Sequence, residues 1–273
     1  EGFESAKAIG DTRFRDWAMG DVAVARAAAG LTEEVYRTVG LIDDPRLIVA
    51  ALRDAAVAWA EGGQIANARE MMDGMPEPMF AAEILAAIAT ARAREGDAAS
   101  VGQILGELLA VANSGQNTSA TIMLIADLAP KLHAANATDA ANHLLQVALD
   151  SAHDATISQS ERDRAIGAIS AVHAALGQTD RARTLMAGIE DLTMRRPVLL
   201  ALAEHSAQTG SDPRALQDAT DVSDSRYRVV ALTHVAIAQA RVGNLEGARS
   251  SLAQARADTD RIDDRFTYAK AFA

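Results

Sequence analysis

The chain has 273 residues, 49% apolar but only 4% aromatic, so its core has to be built from Ala, Leu, Ile, Val and Met. A net charge of −11 argues against nucleic acid as partner, because phosphate contacts need Lys and Arg in excess. The absence of cysteine excludes disulfides, thiolate zinc sites and cysteine nucleophiles, and no apolar run approaches the roughly 18 residues of a membrane-spanning helix.

In chain order, Glu1–Ile9 reads as a short helix, the second member of a pair. The stretch Asp11–Gly30 then aligns without a gap on Asp224–Gly243, and glycines recur between them at Gly63, Gly96, Gly177 and Gly210. Gly30, Gly63 and Gly96 are 33 residues apart, as are Gly177, Gly210 and Gly243. A fixed period of this length marks a stack of repeated helical units. Eleven residues before the glycines stand Met19, Leu52, Leu85, Ile166, Leu199 and Leu232, and seven before stand Ala23, Ala56, Ala89, Ser170, Ala203 and Ala236. That spacing predicts an amphipathic first helix with a small residue where its neighbour packs closest, ended by a left-handed glycine cap. Asn136 takes the glycine's place in the fourth unit, with Ile125, Leu128 and Ala129 at the matching offsets.

A shorter second helix follows each turn, marked five residues on by Val35, Ala68, Val101, Ala182, Ala215 and Ala248. Asp44, Glu77, Asp191 and Asp224 are placed to cap the next first helix, and Pro45 and Pro78 fall at its first turn. Around Asn136 the spacing widens by seven or eight residues, about two helical turns. Residues 97–112 and 137–152 accordingly read as longer second helices, and Asn113–Ser119 as a polar, partly mobile connector. Asp263–Ala273 matches the opening of a first helix that lacks its second. Phe266, Ala269 and Phe272 give that C-terminal helix an apolar face, so it is expected to be covered by further chain or by self-association.

Two helices per unit, a glycine at the turn, a small residue five later and large apolar residues eleven and eight before resemble the tetratricopeptide repeat, over about residues 11–258. The period is 33 rather than 34, the aromatic residue four before the turn survives only as Trp59, and no proline closes each unit. Armadillo- or HEAT-type stacking is the alternative arrangement. The resemblance implies an all-α fold: one right-handed α-solenoid of about seven two-helix repeats over residues 1–273, whose concave face is lined by the first helices. The inward positions it implies include Trp17, Val24, Arg53, Val57 and Thr90, then Arg164, Leu200, Glu204, Thr233 and Ile237. The repeated Lys and Asn with which some members clamp a C-terminal carboxylate are missing.

His133, His143 and His153, with Asp139, Asp150 and Asp154, are usable zinc ligands in type, but none shows the tight spacing of a helical metal site. The acidic run Asp258–Asp264 lacks the central glycine and closing glutamate of a calcium loop. No phosphate-binding glycine loop, Gly-x-Ser-x-Gly elbow or His-Glu-x-x-His is present. Arg13, Arg46, Arg226 and Arg265, each two residues after an Asp, are expected to bridge adjacent repeats. No catalytic residue, metal or cofactor is therefore assigned. The chain reads as a non-enzymatic scaffold holding a protein or peptide ligand in its groove. The alternative is an accessory superhelical region of a larger enzyme or secretion assembly. The Ala- and Arg-rich composition, with Lys only at Lys7, Lys131 and Lys270, suggests a GC-rich bacterial genome. The missing cysteine and a first residue other than Met favour a periplasmic or exported location over a cytoplasmic one.

Overall fold

The computed structural model describes residues 2–115, 117–154, 157–210, 213–260 and 262. The C-terminal helix expected from the sequence, with Phe266, Ala269 and Phe272, falls outside these residues, as does Arg265. Among the described residues the fold is entirely helical, without a strand. It runs α1 (Gly2–Lys7), α2 (Thr12–Ala28), α3 (Thr32–Val39), α4 (Pro45–Glu61), α5 (Ile65–Met72), α6 (Pro78–Arg94), α7 (Ala98–Ser114) and α8 (Thr118–Ala134). There follow α9 (Thr138–Ala152), α10 (Gln159–Ala175), α11 (Thr179–Ala187), a 3₁₀ turn (Leu192–Arg195), α12 (Arg196–Thr209), α13 (Ala215–Thr220), α14 (Ser225–Arg241) and α15 (Leu245–Thr259).

The local rules are uniform. Gly30, Gly63, Gly96, Gly177, Gly210 and Gly243 all have φ between +75° and +81°, and Asn136 has φ +62°. The residue after the closing one then donates its N–H back to a carbonyl five residues earlier, as Leu31 does to Arg26, Gln64 to Trp59 and Ala137 to Leu132. That bond satisfies one of the orphan carbonyls at the helix end. At the other end, Asp11, Asp44, Asn117, Asp191 and Asp224 accept backbone N–H groups, and Ser158 forms a capping box with Glu161. Glu77 occupies the same place without a side-chain bond. Each of these residues stands nineteen positions before the one that closes its helix: Asp11 and Gly30, Asn117 and Asn136, Ser158 and Gly177. The widened spacing in the middle of the chain is therefore absorbed by α7 and α9, of 17 and 15 residues against 8 in α3 and α5. The expected polar connector is correspondingly shorter, because Asn113 and Ser114 end α7 while Thr118 and Ser119 begin α8.

The chain divides into two compact units, Glu1–Leu124 with Lys131–Asn142, and Ile125–Pro130 with His143–Ala273. In the first, α2, α4 and α6 pack side by side and each packs on the helix that follows it; in the second, α10, α12 and α14 do the same. The small positions make this possible. Ala23, Ala56, Ala89, Ala129, Ser170 and Ala203 are fully buried and Ala236 is 3% exposed, so helix backbones approach closely there. On the second helices Val35, Ala68, Val101, Ala182, Ala215 and Ala248 are all buried, whereas Leu252, one turn beyond Ala248 on α15, is 50% exposed.

Candidate functional site

In the first unit a half-open cavity of about 200 Å³ lies between α2 and α4. Its floor is Gly20, Ala50 and Ala51, where small residues keep side chains out of the gap between the two helices. Trp17, Val24 and Leu47 form apolar walls, and Asp16, Asp21 and Asp54 supply carboxylates. Trp17 is 51% exposed, with Phe14 edge-on to it at 6.4 Å and the Arg13 guanidinium 5.5 Å from its ring centroid.

The three carboxylates differ in kind. Asp16 is 2% exposed and accepts N–H groups from Asp43 and Asp44, both at 3.0 Å, and from Arg15 at 3.2 Å. Burial is the largest single influence on its carboxyl and opposes ionisation. The backbone amides and Arg15 together outweigh it, so the group stays below the usual carboxylate range. Asp54 pairs with Arg53 at 2.7 Å, and Arg53 also reaches Glu83 at 3.4 Å while lying 5.2 Å above the Phe80 ring. Burial raises the Glu83 carboxyl, with Arg53 opposing the rise. Asp21 is exposed.

The predicted groove residues separate under this geometry. Trp17 and Val24 line the cavity, Arg53 lies beside it through Asp54, and Val57 is half-buried one helical turn further along α4. Thr90 does not reach the surface: it is 3% exposed and its hydroxyl donates to the Ala86 carbonyl. In the second unit Arg164 and Glu204 are exposed and Ile237 is 41% exposed. Leu200 packs partly against the Leu199–Ala203–Leu232–Val235 core, and the Thr233 hydroxyl donates to the Val229 carbonyl. That unit also holds a cavity of about 320 Å³, bordered by Ser206, Leu216, Val235 and Gln239, with no charged side chain among its described lining residues.

Of the recurring arginines expected to bridge the repeats, Arg265 lies outside the described residues. Arg226 pairs with Asp224 in its own cap, and Arg13 stacks on Trp17. Ion pairs do tie successive pairs elsewhere, Arg15 with Asp43, Arg69 with Glu107, Arg183 with Asp218 and Arg214 with Asp180, while Arg228 joins Asp258 within one pair. Asp258, the first residue of the acidic run, is thus held by Arg228. The buried aspartates were not foreseen from the sequence. Asp16 and Asp163 both stand fourteen residues before a closing glycine, and Asp163 accepts the N–H of Asp191 at 2.7 Å as Asp16 accepts those of Asp43 and Asp44. His133 bonds Thr138, and His153 bonds the Leu149 carbonyl. Among the described residues no group of three His, Asp or Glu could hold a metal ion.

No protein-family model matches the chain, and neither a curated protein nor a solved structure does.

Proposed function

We propose that the chain is a non-enzymatic scaffold that binds an extended protein or peptide segment along the face of its first helices. On this reading its helices form about seven tetratricopeptide-like repeats in a right-handed solenoid, an architecture whose function lies in extended binding surfaces. The observation that carries the proposal is the cavity between α2 and α4, with a half-exposed tryptophan at its edge, since an exposed aromatic beside a small pocket is a common anchor of a peptide contact. The carboxylates held below their ordinary pKa support it indirectly. Asp97, Glu161, Asp191 and Asp224 cap helices, and Asp16 holds a loop, which are structural roles rather than catalytic ones.

The test is site-specific photo-crosslinking of peptides selected on the chain from a displayed dodecapeptide library. A benzophenone side chain at Val24 on the first-helix face should capture them, and the same group at exposed Ala66 on α5 should not. Equal capture at both positions would refute the assignment of the binding face.

A further inference from the structure

We propose, building on that reading, that the cavity between α2 and α4 takes an arginine side chain of the bound segment, its guanidinium between Trp17 and the Asp21 and Asp54 carboxylates. Three carboxylates and no basic residue line this space; Arg53 pairs with one oxygen of Asp54 from outside the lining, which leaves Asp21 as the carboxylate without a basic neighbour in the lining. Asp16 is 2% exposed and already accepts from the Asp43 and Asp44 amides and Arg15, so it presents no open oxygen to a ligand. Amides bring no compensating charge, however, and Arg15 is shared with Asp43, so the buried carboxylate leaves the wall negative. Trp17 accepts a guanidinium in this structure already, from Arg13, and its indole remains half exposed. Cation–π attraction and a nearby carboxylate together favour a planar, weakly hydrated cation on an aliphatic stem, which Val24 and Leu47 would flank.

Two observations separate this site from other parts of the fold. A divalent cation does not suit it, because among the described residues no three carboxylate or imidazole groups converge as metal ligands. The equivalent position in the second unit is closed by the chain itself. Gly20 and Gly167 both stand ten residues before a closing glycine, yet a Cβ at Gly167 would lie 2.7 Å from the Met194 carbonyl oxygen, whereas one at Gly20 would meet only the Ala51 Cβ at 3.8 Å. The 3₁₀ turn fills in the second unit the space that stays open in the first.

The experiment uses the full chain and the strongest peptide from the dodecapeptide selection, measured by fluorescence anisotropy. We expect the peptide to contain an arginine whose replacement by citrulline, nearly isosteric but neutral, weakens binding about tenfold or more. Asp21→Asn should weaken the arginine peptide by a similar factor and leave the citrulline peptide unaffected, with melting unchanged because Asp21 is exposed. If the citrulline peptide binds as well while still crosslinking at Val24, the arginine assignment fails and the scaffold reading stands. If selection enriches no peptide, both fail. If agmatine alone competes at the peptide's own concentration, the cavity is a site for small cations and the docking proposal is overturned.

Discussion

Alanine at Gly63 and alanine at Gly20 should shift stability in opposite directions, although both lie in the same compact unit. Gly63 has φ +79°, and a Cβ added there would meet nothing within 4 Å, so the only folded-state cost is the left-handed backbone. That conformation costs an L-residue roughly 1–2 kcal/mol, and the smaller conformational freedom of alanine in the unfolded chain returns about 0.4–1 kcal/mol. The net loss should be about 1 kcal/mol. Gly20 lies in the middle of α2, where a Cβ would sit in ordinary contact with Ala51, so alanine there should gain up to about 1 kcal/mol of helix propensity. Gly210→Ala should cost somewhat more than Gly63→Ala, since its Cβ would lie 2.8 Å from the Cγ1 of Val242, a side chain exposed enough to turn away. Asn136→Gly should be nearly neutral, because asparagine already tolerates this region. Urea unfolding followed by circular dichroism reads all four, with the denaturant slope held constant as the control. A Gly63→Ala variant as stable as its parent or more so would show that the closing glycine is not needed for its backbone conformation, and the repeat register would fail with it.

Ala203 is fully buried where α12 packs on α10 and α14, so Ala203→Leu should cost about 1–3 kcal/mol by overpacking; a variant that unfolds with its parent would contradict the close approach of these helices. Asp16→Ala strips two loop amides and Arg15 of their acceptor and should cost about 2–3 kcal/mol in urea, whereas Asp21→Ala beside it should change little. His173 is 2% exposed, and burial holds its imidazole below the ordinary value, with the Gln178 bond opposing that. The neutral form is therefore the stable one in the fold: stability is complete above the unfolded-state pKa of about 6.5 and falls as the pH drops from there toward the folded value. His173→Leu should flatten the loss of melting temperature below that point, and an unchanged slope would assign the acid sensitivity to other groups.

The backbone rules were legible because each has a single residue type as its sign. A glycine in register with apolar residues eleven, eight and seven before it marks a left-handed turn and a buried stripe, and Asn136 could be placed by those neighbours alone. The caps were less visible. Asp44 and Asp224 declare themselves by charge, but Asn117 and Ser158 do the same work with different chemistry and are recognised only by their distance to the closing residue. Asp16 and Asp163 were missed because a polar residue on an apolar stripe looks like a break in it. Only the fold shows that their carboxylates complete the loop before the next helix. For the groove, helical spacing put Trp17 and Val24 on one face, where both line the cavity between α2 and α4, but could not separate them from buried Thr90, since three residues of offset do not reveal how deeply a neighbouring helix sinks. Pairing of the arginines was least legible. It depends on which of several carboxylates a long side chain meets across a helix contact, and sequence order does not encode that.

The helices α2, α4, α6, α8, α10 and α14 are each 17 residues long and α12, preceded by the 3₁₀ turn, is 14, while the helices that follow them range from 6 residues in α13 to 17 in α7. Insertions and deletions are thereby channelled to one member of each pair. Two extra turns in α3 or α5 would leave the cap, the buried small residue and the closing turn of the neighbouring first helices where they are. Two extra residues in α2 would swing Trp17 away from α4 and detach Asp16 from the loop it holds. Descendants of this sequence can therefore gain or lose length freely on one side, while the side carrying the tryptophan is kept to a single gauge.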